Sequence, residues 1–240
     1  MQRDFTNDKL YLLKDRVAKT REPQYQECVD AAASRGFERL GLRSSQSWHD
    51  DPKHLVFRLA RYKFVAKMLA EADHVLEIGC GDAFCTRVVQ QSVKKLSATD
   101  FDEVFVEDVK ARMVDGWRFN VFTHDLLAGP VPGDYDAVFA LDVLEHIPAK
   151  DERTFLNNSF AALRQHGAAI IGTPSLESQV HASAASRAGH VNCKSGPDLK
   201  KLMLEYFHNV FMFSMNDEVV HTGFHPMASY LFAVCAGKRI

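Results

Sequence analysis

Apolar positions follow two rhythms along this 240-residue chain. Short runs dominated by apolar and small residues, Val75–Ile78, Leu96–Asp100, Tyr135–Leu141 and Ala168–Pro174, predict buried parallel strands. Trp117–Val121 predicts a third strand in the series, so the five fall in chain order as first to fifth. Between them, Ala83–Gln91, Asp102–Val114 and Asp151–His166 predict helices, the last stopped by Gly167. Strands alternating with helices imply an α/β fold with a mainly parallel sheet. After the fifth strand, a helix over Leu199–Phe207 and strands over Val210–Phe213 and Tyr230–Val234 complete the chain, with a loop carrying His221 and His225 between the last two. Residues 175–197 are small and polar and predict a long connection, the kind that is usually functional or disordered.

The first 50 residues pattern differently. Leu10–Val17 and Tyr25–Ala33 predict helices on either side of Pro23, and Gly36, Gly41 and the serine run at 44–47 predict loop. This part is expected to form a helical cap over residues 1–50, with Trp48 helping to cover a substrate. Asp51-Pro52 then offers an N-cap and a first helical position, and Leu55, Leu59, Tyr62, Val65 and Leu69 make one apolar stripe.

Composition changes little in this picture. At 46% hydrophobic and 25% charged, with a net charge of −2, the chain carries no global basic field and no strip of cations interleaved with aromatics. That argues against a nucleic-acid partner. No run is long and apolar enough to span a bilayer or to act as a signal peptide, and five widely spaced cysteines fit neither a disulfide framework nor a paired zinc site. A cytoplasmic protein with reduced thiols is the expectation.

Chemistry concentrates at the carboxyl ends of the strands, where open α/β sheets bind ligands. Glu77-Ile78-Gly79-Cys80-Gly81 turns the first strand into its helix, and Phe84 stands where a dinucleotide fingerprint needs a third small residue. Asp100 ends the second strand 21 residues after Gly79, the distance at which a carboxylate receives ribose hydroxyls. Asp142-Val143-Leu144-Glu145-His146-Ile147-Pro148 follows the fourth strand, about 60 residues beyond the glycine turn.

These two motifs, in this order, resemble the class I methyltransferases that use S-adenosylmethionine (SAM), in particular small-molecule O-methyltransferases such as those of ubiquinone biosynthesis. The resemblance covers residues 51–240. It implies a Rossmann-like fold with a seven-stranded mixed sheet, an antiparallel last strand and a helical N-terminal extension. It implies SAM contacts from Glu77, Gly79, Cys80 and Gly81, from Asp100 and Phe101, from Asp125 and Leu126, and from Leu141, with Arg61 or Tyr62 at the cofactor carboxylate. It also implies methyl transfer to an oxygen, less readily a nitrogen, of a small molecule. The tail segments Gly189–Asn192 and Asn216–His221 resemble enzymes acting on small metabolites or surface-polysaccharide sugars, nucleotide-sugars included. Alternatives are an RNA-end or protein methyltransferase and a non-catalytic SAM-binding subunit.

Two catalytic readings stay open. His146 suits a general base, since an oxygen acceptor must lose a proton, with Glu145 and His190 beside it and His181, His221 and His225 as other candidates. Alternatively, Asp142, Glu145 and His146 at i, i+3 and i+4 share one face of a helical turn. With His190 they would make a mixed oxygen and nitrogen site for Mg²⁺, Mn²⁺ or Fe²⁺, as in the small-RNA 2′-O-methyltransferases that this set resembles. Oligomeric state is left open by the sequence.

Overall fold

Val75–Ile78 forms β1, buried at every position, and the sheet grows outward from it. The computed structural model describes residues 19–223 and 227–239, so Leu10–Val17 and His225 lie outside the described residues. Parallel pairing places β2 (Leu96–Asp100) and then β3 (Asn120–Thr123) on one side of β1. On the other side lie β4 (Tyr135–Leu141) and β5 (Leu163–Pro174). β8 (Tyr230–Lys238) inserts antiparallel between β5 and β6 (Phe207–Asn216), and β7 (Val219–Thr222) closes the edge, giving the order β3-β2-β1-β4-β5-β8-β6-β7. This is a Rossmann-like mixed α/β sheet with the antiparallel late strand the family resemblance implies.

The chain divides into two units, Met1–Arg39 and Leu40–Ile240. The described part of the first holds a single turn of 3₁₀ helix, Pro23–Tyr25, and α1, Gln26–Arg35. The second holds the sheet and α2 (Leu42–Asp50), α3 (Lys53–Met68), α4 (Thr86–Gln90), α5 (Glu103–Arg112), α6 (Glu152–Ala161), α7 (Ala184–Gly189) and α8 (Gly196–Leu204). Two apolar layers sandwich the sheet. Tyr62, Val65, Val89, Val106 and Phe139 lie in one, and Leu76, Phe155, Leu199 and Phe207 in the other.

Five expectations change, the first being the helix expected over Asp151–His166, which stops at Ala161 with β5 already begun at Leu163. The sheet has eight strands rather than seven, because β6 and β7 form a hairpin where a loop is expected. β3 begins at Asn120, since Asp115–Trp117 is taken up in a 3₁₀ turn. The serine run is helical, forming α2. Residues 175–197 carry a 3₁₀ turn, Glu177–His181, and α7 instead of open loop.

Candidate active site

The turn after β1 exists because two residues in it adopt a left-handed backbone, Gly79 at φ +75° and Gly81 at φ +53°. A Cβ on Gly79 would lie 2.3 Å from Val143 Cγ2, so only glycine lets the turn pass beneath the segment that follows β4. Asp100, at the end of β2, accepts the Gly81 N–H at 2.8 Å and the Asp102 N–H at 3.0 Å, which ties the two strand ends together. Asp102 in turn caps α5 by accepting the Val104 N–H.

These strand ends frame a cavity of about 600 Å³. Gly79, Gly81, Asp100, Phe101, Asp125 and Leu126 line it, as the sequence expects, and so do Asp142 and His146. Phe105, Leu127 and Arg43, which sequence reasoning missed, line it too. Phe105 lies in the first turn of α5, five residues beyond Asp100, and Arg43 comes from a helix whose existence the local sequence does not signal.

Other expected cofactor residues are placed elsewhere. Glu77 does not line the cavity: it is 1% exposed and accepts hydrogen bonds from Tyr62 Oη at 2.7 Å and Thr86 Oγ1 at 2.8 Å, pinning α3 and α4 to β1. Cys80 and Leu141 are buried in the apolar layer on that side of the sheet. Arg61 is committed to Asp142, donating from Nη1 to both carboxylate oxygens at 2.8 Å, with its guanidinium 3.8 Å from the centre of the Tyr230 ring. The cofactor carboxylate therefore does not find Arg61 or Tyr62 free.

Burial pushes the Glu77 carboxyl up to about 7, against the lowering effect of its two hydroxyl donors. Its folded value lies above the ordinary 4.5, so the unfolded chain releases this proton first as pH rises. The cost is absent below about 4.5 and complete above about 7. In denaturant titrations between those limits, the native protein should lose about 3 kcal/mol of stability relative to Glu77→Gln. Parallel pH profiles for the two proteins would refute this.

The segment after β4 departs from a helical turn at its first residue. Asp142 takes φ +56°, its N–H donating to Gly172 O at 3.1 Å and to Tyr230 Oη at 3.2 Å, and only Leu144–His146 forms a short 3₁₀ turn. Asp142, Glu145 and His146 thus do not share one helical face. Burial opposes the Asp142 charge, yet Arg61, with Arg43 and Arg58 behind it, holds its carboxyl below the ordinary value. Asp142 drops out of the metal-ligand set because Arg61 occupies its oxygens.

Glu145, His146 and His190 do come together: one ligand atom from each lies within 4.8 Å of the others. The imidazole rings of His146 and His190 are 5.2 Å apart. His146 Nδ1 donates to the Gly189 carbonyl at 2.9 Å, and His190 Nδ1 to Gln179 Oε1 at 2.9 Å. Those acceptors fix the tautomers and leave both Nε2 lone pairs free. Glu145 is fully buried; Thr173 Oγ1 donates to its Oε2 at 3.3 Å, while Oε1 has no hydrogen-bond partner and lies 4.0 Å from His146 Nε2. Burial, with Asp142 next, pushes the Glu145 carboxyl up to about 8. Burial, with His146 next, lowers the His190 imidazole.

The segment bearing His190 is fastened. Asn192 N–H donates to the Glu145 carbonyl at 3.0 Å, and Lys194 Nζ reaches Glu152 Oε2 at 2.6 Å in a largely buried pair. His181 and His221 do not line the cavity, and His221 is engaged with Asn216.

Residues 75–167 match the family described as a methyltransferase domain. Residues 75–167 carry a methyltransferase domain. The matched span starts at β1 and ends within β5, so it holds the glycine turn, Asp100 and the Asp142–His146 segment. A probable S-adenosylmethionine-dependent methyltransferase of Mycolicibacterium smegmatis is 30% identical over 114 residues, 47% of this chain and 42% of that protein. One of Mycobacterium tuberculosis (strain H37Rv) is 30% identical over 118 residues, 48% and 41% respectively. The match spans less than half the length of either relative. Among solved structures, the fold is similar to the N-methyltransferase NodS of Bradyrhizobium japonicum WM9 with bound S-adenosyl-L-homocysteine (TM-score 0.58, 18% identity, 78% of this chain and 89% of that one). It is also similar to a SAM-dependent methyltransferase of Clostridium acetobutylicum (TM-score 0.62, 11% identity, 81% and 96%). Among the described residues, no helix is long and apolar enough to cross a membrane.

Proposed function

We propose that this chain transfers the SAM methyl group to a hydroxyl of a small molecule in the cytoplasm, a sugar or nucleotide-sugar being the acceptor class, and that Glu145, His146 and His190 handle the hydroxyl proton. The observation that carries this reading is the arrangement of the three side chains: two imidazoles held as Nδ1–H tautomers, their Nε2 lone pairs free, beside a buried carboxylate oxygen without a partner. SAM would occupy the cavity with its ribose at Asp100, its adenine against Phe101 and near Asp125 and Leu126, and its methionine half over Gly79–Gly81. Methyl transfer is an in-line displacement at an activated carbon, for which the protein mainly supplies proximity and orientation. His146 lines the cavity where β4 ends and would accept the acceptor proton at Nε2.

The same geometry supports a second reading, in which the three residues hold a divalent ion. One carboxylate oxygen and two imidazole nitrogens fit Mg²⁺, Mn²⁺ or Fe²⁺, and Nδ1–H donation to protein oxygens is how ligating histidines are oriented. When bound, the ion would supply Lewis-acid acidification of the hydroxyl. A labelled-methyl screen over sugar nucleotides and small metabolites, with and without metal, tests both. Incorporation should fall with His146→Ala by about 100-fold or more if it is the base. Full turnover in that variant, with SAM binding intact, would remove its role. Loss of activity with chelator, restored by Mn²⁺ or Mg²⁺, is expected for the metal site, and chelator-insensitive turnover would exclude it.

A further inference from the structure

The charged groups lining the cavity are nearly all satisfied within the protein. Asp100 accepts two backbone N–H groups, Asp102 caps α5, Asp125 accepts the Leu127 N–H at 2.8 Å, and Asp142 is held by Arg61. Arg43 is different. It lines the cavity from the first turn of α2, and its guanidinium makes no hydrogen bond or ion pair with any described residue. Its neighbours in sequence and space are engaged: Arg58 Nη2 lies 3.6 Å from Asp82 Oδ1, and its Nη1 donates to Ser44 Oγ at 3.4 Å.

The backbone that carries Arg43 is nevertheless fixed. Asp82, fully buried just beyond the glycine turn, accepts the Ser44 N–H at 2.6 Å and the Ser44 hydroxyl at 3.1 Å. Gly41, at φ +105°, sits so close that a Cβ there would lie 2.8 Å from Asp82. A free cation on an anchored helix start therefore faces the cavity. It shares that cavity with Asp142 and His146, which follow the end of β4.

We propose that Arg43 selects an anionic acceptor, its guanidinium binding a phosphate or carboxylate on the molecule whose hydroxyl is methylated. This rests on the methyltransferase reading above and narrows its substrate class to acceptors such as sugar phosphates, nucleotide-sugars or uronates. Five N–H donors in a planar fork suit both oxyanions, and the carboxylates that share the cavity are already held by backbone N–H groups or by Arg61, which leaves the Arg43 fork for a ligand. The carboxylate of the cofactor is the competing anion.

The test titrates inorganic phosphate and acetate into the full chain, both free and saturated with S-adenosylhomocysteine, by calorimetry. Binding of S-adenosylhomocysteine itself checks the cofactor reading separately. The cofactor-loaded protein should bind phosphate saturably, Arg43→Gln should weaken that binding by about tenfold or more, and Arg43→Lys should retain most of it. S-adenosylhomocysteine affinity should be unchanged in both variants, which fold normally because the native side chain makes no hydrogen bond or ion pair for them to lose. A fall in S-adenosylhomocysteine affinity with Arg43→Gln would overturn the proposal, since the residue would then hold the cofactor carboxylate. Phosphate affinity equal in native protein and Arg43→Gln, or phosphate binding abolished by S-adenosylhomocysteine, would overturn it as well.

Discussion

Arg61→Met should destabilise the protein by about 3–5 kcal/mol, because it leaves the Asp142 carboxylate buried without its counter-charge. In the native pair one guanidinium nitrogen reaches both carboxylate oxygens, both partners are largely shielded from solvent, and the guanidinium also stacks on Tyr230. Removing it forfeits the ion pair and the cation–π contact together. Denaturant unfolding of the ligand-free chain reads the loss directly. The double variant Arg61→Met with Asp142→Asn should regain most of it, since asparagine tolerates the left-handed backbone at position 142 and carries no charge. A single-variant loss below about 1 kcal/mol, the range of an exposed pair, would mean that the charges are screened and the frame is not held this way.

Gly79→Ala should abolish SAM binding at ordinary concentrations, weakening it by about 100-fold or more. Two costs combine: a left-handed φ of +75° and a Cβ 2.3 Å from Val143 Cγ2. Overpacking and backbone strain each cost about 1–3 kcal/mol, and here the strain is relieved only by moving the turn or the segment after β4, the two walls of the cofactor site. Gly81→Ala is the control. It shares the positive φ, but a Cβ there meets nothing within 4 Å, so it should cost only about 1–2 kcal/mol. Adding Val143→Ala to Gly79→Ala should recover part of the affinity. Calorimetric titration with SAM would refute the account if the two glycine variants behaved alike.

The strands that position the site were legible because each is a short run of mainly apolar and small residues closed by a glycine or an acid, and β1, β2 and β4 match their sequence boundaries. Asp100 was legible for the same reason, since strand register fixes its distance from the glycine turn. What escaped local reading depends on partners far along the chain. α2 is rich in serine, with only Leu42 and Trp48 apolar, and its first turn is held by Asp82, 38 residues beyond Ser44, so no nearby residue announces it. Arg43 was hidden with it. Glu77 belongs to the family motif, but a strand buried on both faces turns every second side chain inward, and this one meets Tyr62 and Thr86 rather than a ligand. Asp142 reads as the start of a helical turn, and Arg61 and Tyr230 hold it in a conformation that breaks the i, i+3, i+4 spacing. His146 and His190 were named from sequence, whereas the bonds that set their tautomers are tertiary.

The Asp82 bond to the Ser44 amide has a practical reach beyond structure. That hydrogen can exchange with solvent only when the carboxylate behind the glycine turn lets go, so its deuterium uptake measures the opening of a loop remote in sequence. A peptide spanning α2 thus becomes a clock for the cofactor turn, readable by mass spectrometry before any substrate is known.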